Sequence, residues 1–223
     1  MTTTMDFVSI EIISLTDVFI DWGDGEKSDN NTGDLSVLGK LWITHNYSSK
    51  SEHRITITGN NIVSLNCGIN QLTTLDVSRN IKLTSLNCLG NPLTILDVSR
   101  NTKLTSLDCS GNQLTTLNVS RNTKLTSLDC SENQLTTLNV SRNTKLTSFY
   151  CSENQLRTLD VSHNNELKYL SCYSNKLTAA ALNDLFRTLH NYGGFIFIWD
   201  NPGASDCDFS IAEGKGWNVY RYM

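Results

Sequence analysis

Residues 125–145 read LTSLDCSENQLTTLNVSRNTK, and this unit of 21 residues recurs along the middle of the chain. Full copies fill residues 62–166, and a last copy begins at Leu167 and changes character after Leu177. Self-similarity at a fixed short period indicates stacked repeats, so this unit decides the fold. Three columns carry the 21-residue step: Cys67, Cys88, Cys109, Cys130, Cys151 and Cys172; Asn70, Asn91, Asn112, Asn133, Asn154 and Asn175; and Leu72, Leu93, Leu114, Leu135, Leu156 and Leu177.

Each unit divides into two unequal halves, LxxLxCxxNx and LxxLxVxxNxx. Alternation in the first half predicts a short strand, with Leu128 and Cys130 pointing inward and their neighbours outward. One unit cannot bury its apolar face alone, but stacked units can, so we expect a solenoid with a parallel β ladder. A coil this short leaves little room for convex helix. The second half should be extended or 3₁₀-like, with a second narrow ladder near Leu138 and Val140 as a further option.

Asparagine occupies two columns, one in each half of the unit. Its side chain carries both donor and acceptor groups, so at a turn it can satisfy main-chain groups of neighbouring rungs. Two such turns per coil are therefore expected. The second column consists of Asn80, Asn101, Asn122, Asn143 and Asn164.

The pattern LxxLxCxxNxLxxLxVxxN resembles a leucine-rich repeat of the short bacterial kind. The 21-residue step with an inward cysteine resembles the cysteine-ladder repeats of internalin J and related bacterial surface proteins. This resemblance covers residues 62–177 and implies a leucine-rich-repeat solenoid that is mainly β, capped at both ends. It is specific for fold and weakly specific for function. It also implies a secreted or cell-surface location, although residues 1–20 lack the features of a signal peptide.

Residues 1–61 lack the repeat and are expected to form an N-terminal β module that caps the solenoid. A tight turn is predicted at residues 21–25, DWGDG, and a polar loop at residues 26–40. The elements DWGDG, His45-x-Tyr47 and ITITG resemble a truncated polycystic-kidney-disease-type domain. The predicted strands are residues 7–13, 18–22, 41–44 and 54–58.

Residues 178–223 are expected to form an α/β cap that covers the last rung. Leu182, Leu185 and Leu189 follow helical spacing, with Thr178 as the N-cap. The stretch resembles the C-terminal caps of leucine-rich-repeat proteins from Bacteroides-type bacteria. A buried strand is predicted at residues 195–199, a short helix at 206–214 and a last strand at 217–222.

Composition and motifs argue against several classes of protein. The formal net charge is −4 and the pI is near 5.5, whereas nucleic-acid-binding domains usually carry a basic excess. No run approaches the roughly 18 apolar residues of a membrane-spanning helix. The sequence contains no nucleophile elbow, P-loop or HExxH motif, and its four histidines share no ligand spacing. We therefore expect no enzyme, no cofactor, no metal, no nucleic acid and no membrane insertion.

Three features have two interpretations each. The repeat cysteines are interpreted as buried free thiols rather than disulfides or metal ligands, because stacked inward side chains point in parallel. The acidic turn at residues 21–25 supplies too few oxygens for calcium unaided, so a hairpin turn is favoured.

A basic column is interpreted as a solvated edge rather than a polyanion site. Its members are Arg79, Arg100, Arg121 and Arg142 with Lys82, Lys103, Lys124 and Lys145, and Asp76, Asp97 and Asp160 lie beside it.

The outward strand face is the best candidate site. Most of its positions are small and polar, but tyrosines replace them near the C-terminal end, and tyrosine is enriched at recognition surfaces. We predict a monomeric, non-catalytic recognition or adhesion protein that binds a protein or glycan through this face. The alternative is a structural spacer or display scaffold, with the tyrosines packed under the cap. The candidate residues are Tyr150, Tyr169, Tyr173, Asp108, Asp129, Glu132 and Glu153.

Overall fold

The structure is a computed structural model that describes residues 1–30, 39–49 and 51–221. Its strands are β1 (Thr2–Thr3), β2 (Phe7–Ser14), β3 (Val18–Asp21), β4 (Lys27–Asn30), β5 (Gly39–Asn46), β6 (His53–Arg54), β7 (Thr56–Thr58), β8 (Ile62–Asn66), β9 (Leu72–Thr74), β10 (Ser85–Asn87), β11 (Ser106–Asp108), β12 (Ser127–Asp129), β13 (Ser148–Tyr150), β14 (Tyr169–Ser171), β15 (Gly194–Phe197) and β16 (Trp217–Tyr220). Its helices are α1 (Ala179–Thr188) and α2 (Ser210–Glu213).

A parallel β ladder runs along the solenoid, as the repeat predicts. Each repeat strand pairs with the next in a register that matches the 21-residue step, so that Leu107 lies opposite Leu128. Strands β8 and β10 to β16 are all parallel neighbours, and β2 and β5 continue the same sheet antiparallel beyond β8. The mainly β solenoid with few helices is confirmed.

The leucines and cysteines of the repeat form the inner lining of the coils. All six repeat cysteines are fully buried and free, which confirms the stacked thiol ladder. The thiol of Cys130 donates a hydrogen bond to the carbonyl oxygen of Tyr150 on the next rung, at 3.4 Å. Burial raises the pKa of Cys172 to about 12, so these thiols stay protonated at neutral pH.

The two asparagine columns lie at the two turns of each coil, but their bonding differs. The Nδ2 of Asn112 donates to the carbonyl oxygens of Cys88 and Cys109 at 3.1 and 3.0 Å, and its Oδ1 accepts from the Leu93 N–H at 3.1 Å. The Nδ2 of Asn122 donates to two carbonyls, whereas its buried Oδ1 accepts no hydrogen bond from the described part of the chain. The first column is therefore the better satisfied of the two.

The second half of each unit is irregular and forms no ladder around Leu138 and Val140, so that option is not realised. In several coils a backbone bond to the neighbouring rung is made at the start of this segment, such as the 2.9 Å bond from the Gln134 N–H to the carbonyl of Leu114. In the first coil, β9 pairs antiparallel with β1 instead.

The N-terminal residues cover the first rung because β2 pairs antiparallel with β8, and β5 pairs with β2. The hairpin turn at residues 21–25 is confirmed, since β3 and β4 pair on either side of it. The loop prediction for residues 26–40 is wrong at β4 and at the start of β5, because residues 27–30 pair with β3 despite being polar. Residues 31–38 lie outside the described part of the chain.

The C-terminal residues cover the last rung by extending the sheet. Strand β15 pairs parallel with β14, and β16 with β15. Helix α1 begins where predicted, and the Thr178 hydroxyl accepts from the Ala181 N–H at 3.3 Å. Residues 195–199 are not a fully buried strand as predicted. Ile196 and Ile198 are buried, but the outward-facing Phe195, Phe197 and Trp199 are only half-buried. The last strand ends at Tyr220, and the predicted end at residue 222 lies outside the described residues. Within the described ranges, no helix has the length and apolar character needed to cross a membrane.

Candidate functional site

Aromatic side chains replace the small polar ones on the outward face where the ladder approaches its C-terminal end. Strands β10 to β12 present serine, asparagine and aspartate outward, and these residues are half-buried. From β13 onward the same columns also carry large rings. These rings face outward because strand residues alternate, and the inward positions Leu170 and Ile196 are buried in the core. We call this surface the aromatic patch, and it consists of Tyr150, Tyr169, Tyr173, Phe195, Phe197, Trp199 and Tyr220.

The rings of the patch stack in pairs across neighbouring rungs. Tyr173 lies on Trp199 with ring centroids 4.3 Å apart and planes 13° apart. Tyr169 stacks on Phe195 at 5.2 Å, and Phe197 stacks on Tyr220 at 4.8 Å. The register produces these pairs, since Tyr169 lies directly opposite Phe195 and Phe197 opposite Tyr220. Each stacked pair therefore covers one face of both of its rings.

The patch remains accessible and is not enclosed by the C-terminal elements. Tyr169 is 43% exposed and Tyr220 is 42% exposed, while the other rings are half-buried. The rings also cover Ser152 and Ser171, which occupy outward positions yet are 1% and 7% exposed. Their hydroxyls form a hydrogen bond with each other at 2.7 Å, so both of these buried hydroxyls have a partner.

Asp108 and Asp129 lie on the same face, directly opposite each other in the ladder. Each Oδ1 accepts a backbone N–H two residues on, from Ser110 at 3.1 Å and from Ser131 at 2.9 Å. Burial raises the pKa of Asp129, and the neighbouring Asp108 carboxylate raises it further. The equivalent Asn87 makes the same bond with its amide oxygen. An uncharged amide oxygen therefore serves this turn as well as a carboxylate does, and the negative charge is additional.

Glu132 and Glu153 extend this acidic surface at the first turn of their coils. Both are exposed and share a left-handed backbone with φ of 53°, a conformation that Gly111 adopts in the same column. The Tyr173 hydroxyl donates to the Glu153 carboxylate at 3.4 Å. Burial and then the Glu153 charge raise the pKa of Tyr173. We call Asp108, Asp129, Glu132 and Glu153 the acidic flank of the patch.

The structure places the seven predicted residues on one face, but their partners differ from the expectation. Tyr150 lies in β13 and Tyr169 in β14, whereas Tyr173 lies two residues beyond the end of β14. Tyr169 and Tyr173 stack on rings of later residues rather than on each other. Sequence reasoning missed Phe195, Phe197, Trp199 and Tyr220. The alternation in FIFIW is the signal that could have identified three of them, since every second residue of a strand faces outward.

Other chemistry-bearing groups are dispersed or engaged elsewhere. The described residues contain no group of three or more histidine, cysteine, aspartate or glutamate side chains placed to hold a metal ion. In the acidic hairpin turn, Asp24 Oδ2 lies 2.7 Å from His45 Nε2, and Asp21 Oδ1 accepts from the Gly23 N–H at 3.0 Å. Cys207 is buried away from the ladder, and its thiol donates to the carbonyl of Ala204 at 3.7 Å.

Three solved structures of bacterial proteins are similar to this chain. The functional domain of InlJ from Listeria monocytogenes, which includes a cysteine ladder, is 37% identical, with a TM-score of 0.52 over 69% of this chain and 38% of that one. A leucine-rich-repeat protein from Leptospira interrogans is 22% identical, with a TM-score of 0.54 over 72% of this chain and 49% of that one. An internalin, InlF, from Listeria monocytogenes is 19% identical, with a TM-score of 0.55 over 71% and 46%.

The chain thus spans less than half the length of each of these three proteins. The two less similar structures support the fold alone, whereas the first also shares the cysteine ladder. No model of a protein family and no curated protein matches the sequence.

Proposed function

We propose that this chain, a leucine-rich-repeat solenoid with a cysteine ladder, is a non-catalytic recognition module that binds a protein partner through the aromatic patch. The observation that carries the proposal is the accessible cluster of seven rings on an otherwise small and polar face. Large aromatic residues dominate binding energy at protein interfaces, and an uncovered cluster of them is costly in water. A spacer without a ligand has no need of such a cluster.

Ring orientation favours a protein over a glycan at this surface. Sugars stack on free ring faces, and the three stacked pairs leave each of these six rings with at most one free face. Tyr150, Tyr169, Tyr173 and Tyr220 supply hydroxyls beside apolar area, a combination that is enriched at protein interfaces.

The acidic flank indicates the charge of the partner. Asp108 and Asp129 lie opposite each other although asparagine makes the same turn bond at Asn66 and Asn87. Like charges directly opposite in a ladder are destabilising, so the fold alone does not call for them. A basic partner surface beside an apolar one would complement both the flank and the patch.

We also propose that the protein acts outside the cytoplasm and as a monomer. The similarity to bacterial internalins supports action at the cell surface or after secretion. The chain acts as a monomer in this account. Its proposed role is binding without catalysis, and the buried repeat cysteines serve the packing of the coils.

A comparative binding experiment tests the proposal. The wild type is compared with a Tyr169→Ser, Trp199→Ser, Tyr220→Ser variant against an array of purified extracellular protein domains. We expect the variant to lose its partner by at least about 100-fold, because buried aromatic anchors each contribute roughly 2 kcal/mol or more. A Trp42→Ser, Tyr192→Ser variant is the matched control, since these two rings are 65% and 85% exposed outside the patch. An unchanged binding profile in the patch variant would instead support the spacer.

A further inference from the structure

A second charged surface lies at the opposite turn of each coil. An arginine directly precedes the second-column asparagine, and a lysine follows two residues after it. All eight basic side chains are exposed. We call this surface the basic edge, and it consists of Arg79, Lys82, Arg100, Lys103, Arg121, Lys124, Arg142 and Lys145.

The backbone beneath the basic edge is tied from rung to rung. The Nδ2 of Asn122 donates to the carbonyl oxygens of Val98 and Asn101, both at 3.0 Å. The Nδ2 of Asn143 repeats these bonds to Val119 and Asn122, again at 3.0 Å. The basic side chains are therefore attached at fixed intervals of about 4.8 Å, the spacing of paired strands.

Part of the basic edge lacks an acidic counterpart in its own turns. In the first two coils Asp76 and Asp97 accept the backbone N–H of the serine two residues on, at 2.9 and 2.8 Å. Asn118 and Asn139 make the same bond in the next two coils, at 3.0 and 2.9 Å. In these two coils the asparagine keeps the hydrogen bond of the turn but carries no negative charge.

The four basic residues of these two coils consequently have no carboxylate at this position of their own turns. Arg121, Lys124, Arg142 and Lys145 form no ion pair with any other residue that the structure describes. Their rung spacing is shorter than the Debye length of about 8 Å at physiological salt, so they repel one another. A chain of regularly spaced anions would remove this repulsion and release bound counterions.

A polar groove between the same two coils has Arg142 in its wall and indicates the chemistry of the ligand. Hydroxyl and amide groups dominate its wall, and neither a carboxylate nor an aromatic ring lines it. Such a wall suits the hydroxyls of sugars, whereas single-stranded nucleic acid is usually held by stacking on aromatic rings. The groove is lined by Thr116, Leu117, Asn118, Ser120, Thr137, Leu138, Asn139, Ser141 and Arg142.

We infer that the basic edge binds a linear anionic polysaccharide, separately from the partner of the aromatic patch. Its sulfate or carboxylate groups contact Arg121, Lys124, Arg142 and Lys145, and its sugar hydroxyls enter the groove. The two surfaces lie on different parts of each coil, the strand face and the second turn. One molecule can therefore hold a protein and an anionic glycan at the same time.

Substitutions with precedents in the chain itself test this inference. Asn118→Asp with Asn139→Asp keeps the turn bond, as Asp76 and Asp97 show, and restores the missing negative charge. We expect this variant to bind a heparin decasaccharide at least tenfold more weakly than the wild type by calorimetry. The matched control is Asn66→Asp with Asn87→Asp, which adds the same charge on the strand face and should change the affinity less than twofold. Circular dichroism melts verify folding in both.

The salt dependence and a set of other polyanions complete the test. Replacing Arg121, Lys124, Arg142 and Lys145 by glutamine should reduce the slope of log affinity against log salt by about 3, at roughly 0.7 per removed cation. Absence of heparin binding at about 0.15 M salt, or equal losses in the test and control variants, would overturn the inference. Equally tight binding of inorganic polyphosphate or single-stranded DNA would overturn the assignment to a polysaccharide.

Discussion

Tyr173 and Trp199 stack face to face across two rungs of the ladder, with ring centroids 4.3 Å apart, although 26 residues separate them in the chain. The repeat step is 21 residues, so the rungs stay in register only because the chain between them forms α1 outside the ladder. The pair joins the last cysteine-bearing rung to the first rung without one. It is therefore part of both the aromatic patch and the junction with the C-terminal strands.

This stacked pair should be measurably coupled. A double-mutant cycle of Tyr173→Ala and Trp199→Ala in urea denaturation should give a coupling energy of about 0.5–1.5 kcal/mol, typical of aromatic pairs. Tyr169 and Trp199 serve as the control pair, because Tyr169 stacks on Phe195 instead. A coupling no larger than in the control cycle would show that the two rings do not stack in solution.

The two asparagine columns should differ in their contribution to stability. Asn112→Ala removes an amide that makes several buried hydrogen bonds and leaves the Leu93 N–H without an acceptor. We therefore expect the free energy of unfolding to fall by about 3 kcal/mol. Asn122→Ala removes only the donor bonds, since its Oδ1 accepts none from the described residues, and should cost about 1–2 kcal/mol. Equal losses measured by denaturant unfolding would contradict the bonding asymmetry.

Asp129 should reduce stability as the pH rises. Its pKa in the folded protein is raised by burial and by Asp108, so the folded state binds the proton more tightly than the unfolded state. Below the pKa of the unfolded chain both states are protonated and nothing is lost. The loss develops as pH rises through that value and is complete above the raised pKa.

Asp129→Asn keeps the bond to the Ser131 N–H, as Asn87 does for Leu89, and removes the charge. We expect the variant to melt at a higher temperature than the wild type at pH 7 and at the same temperature near pH 3. Asp160→Asn is the control, because hydrogen bonds from Ser162 lower the pKa of Asp160. There the substitution should lower stability at pH 7, and the same sign at both positions would contradict the account.

The thiols of the cysteine ladder should be unreactive in the folded protein. Burial raises the pKa of Cys67 and of Cys172 to about 12, and the other ladder thiols are also shifted upward. We expect no reaction of these six thiols with a disulfide reagent at pH 8 until the chain is unfolded. In denaturant without reductant all six should react, and a shortfall would indicate disulfides in place of free thiols.

The sequence was sufficient to predict the solenoid because its signals are local and repeated. Cys130 and Leu128 alternate within a strand, the asparagines recur at each turn, and Thr178 precedes a helical spacing of leucines. Strand β4 was not predicted because its residues 27–30 are polar and show no strand pattern of their own. They form a strand because they pair with β3.

The pairing within the aromatic patch was out of reach of sequence reasoning. Alternation in FIFIW can group Phe195, Phe197 and Trp199 on one face, but which ring each of them meets depends on the register of β15 against β14, where Tyr169 lies opposite Phe195. Helix α1 interrupts the 21-residue step before β15, so the repeat cannot be extended to that strand by counting. Asn201 shows the same break, since it continues the first asparagine column 26 residues after Asn175 and accepts from the Leu177 N–H at 3.1 Å.

Footprinting of the aromatic side chains by hydroxyl radicals, with and without the protein partner, tests the central claim most directly. The account predicts that oxidation of Tyr169, Trp199 and Tyr220 falls several-fold when the partner is bound. Trp42 and Tyr192, which are exposed elsewhere, should react as before. Unchanged oxidation of the patch, with protection at Trp42 or Tyr192 instead, would contradict the claim that this face is the recognition surface.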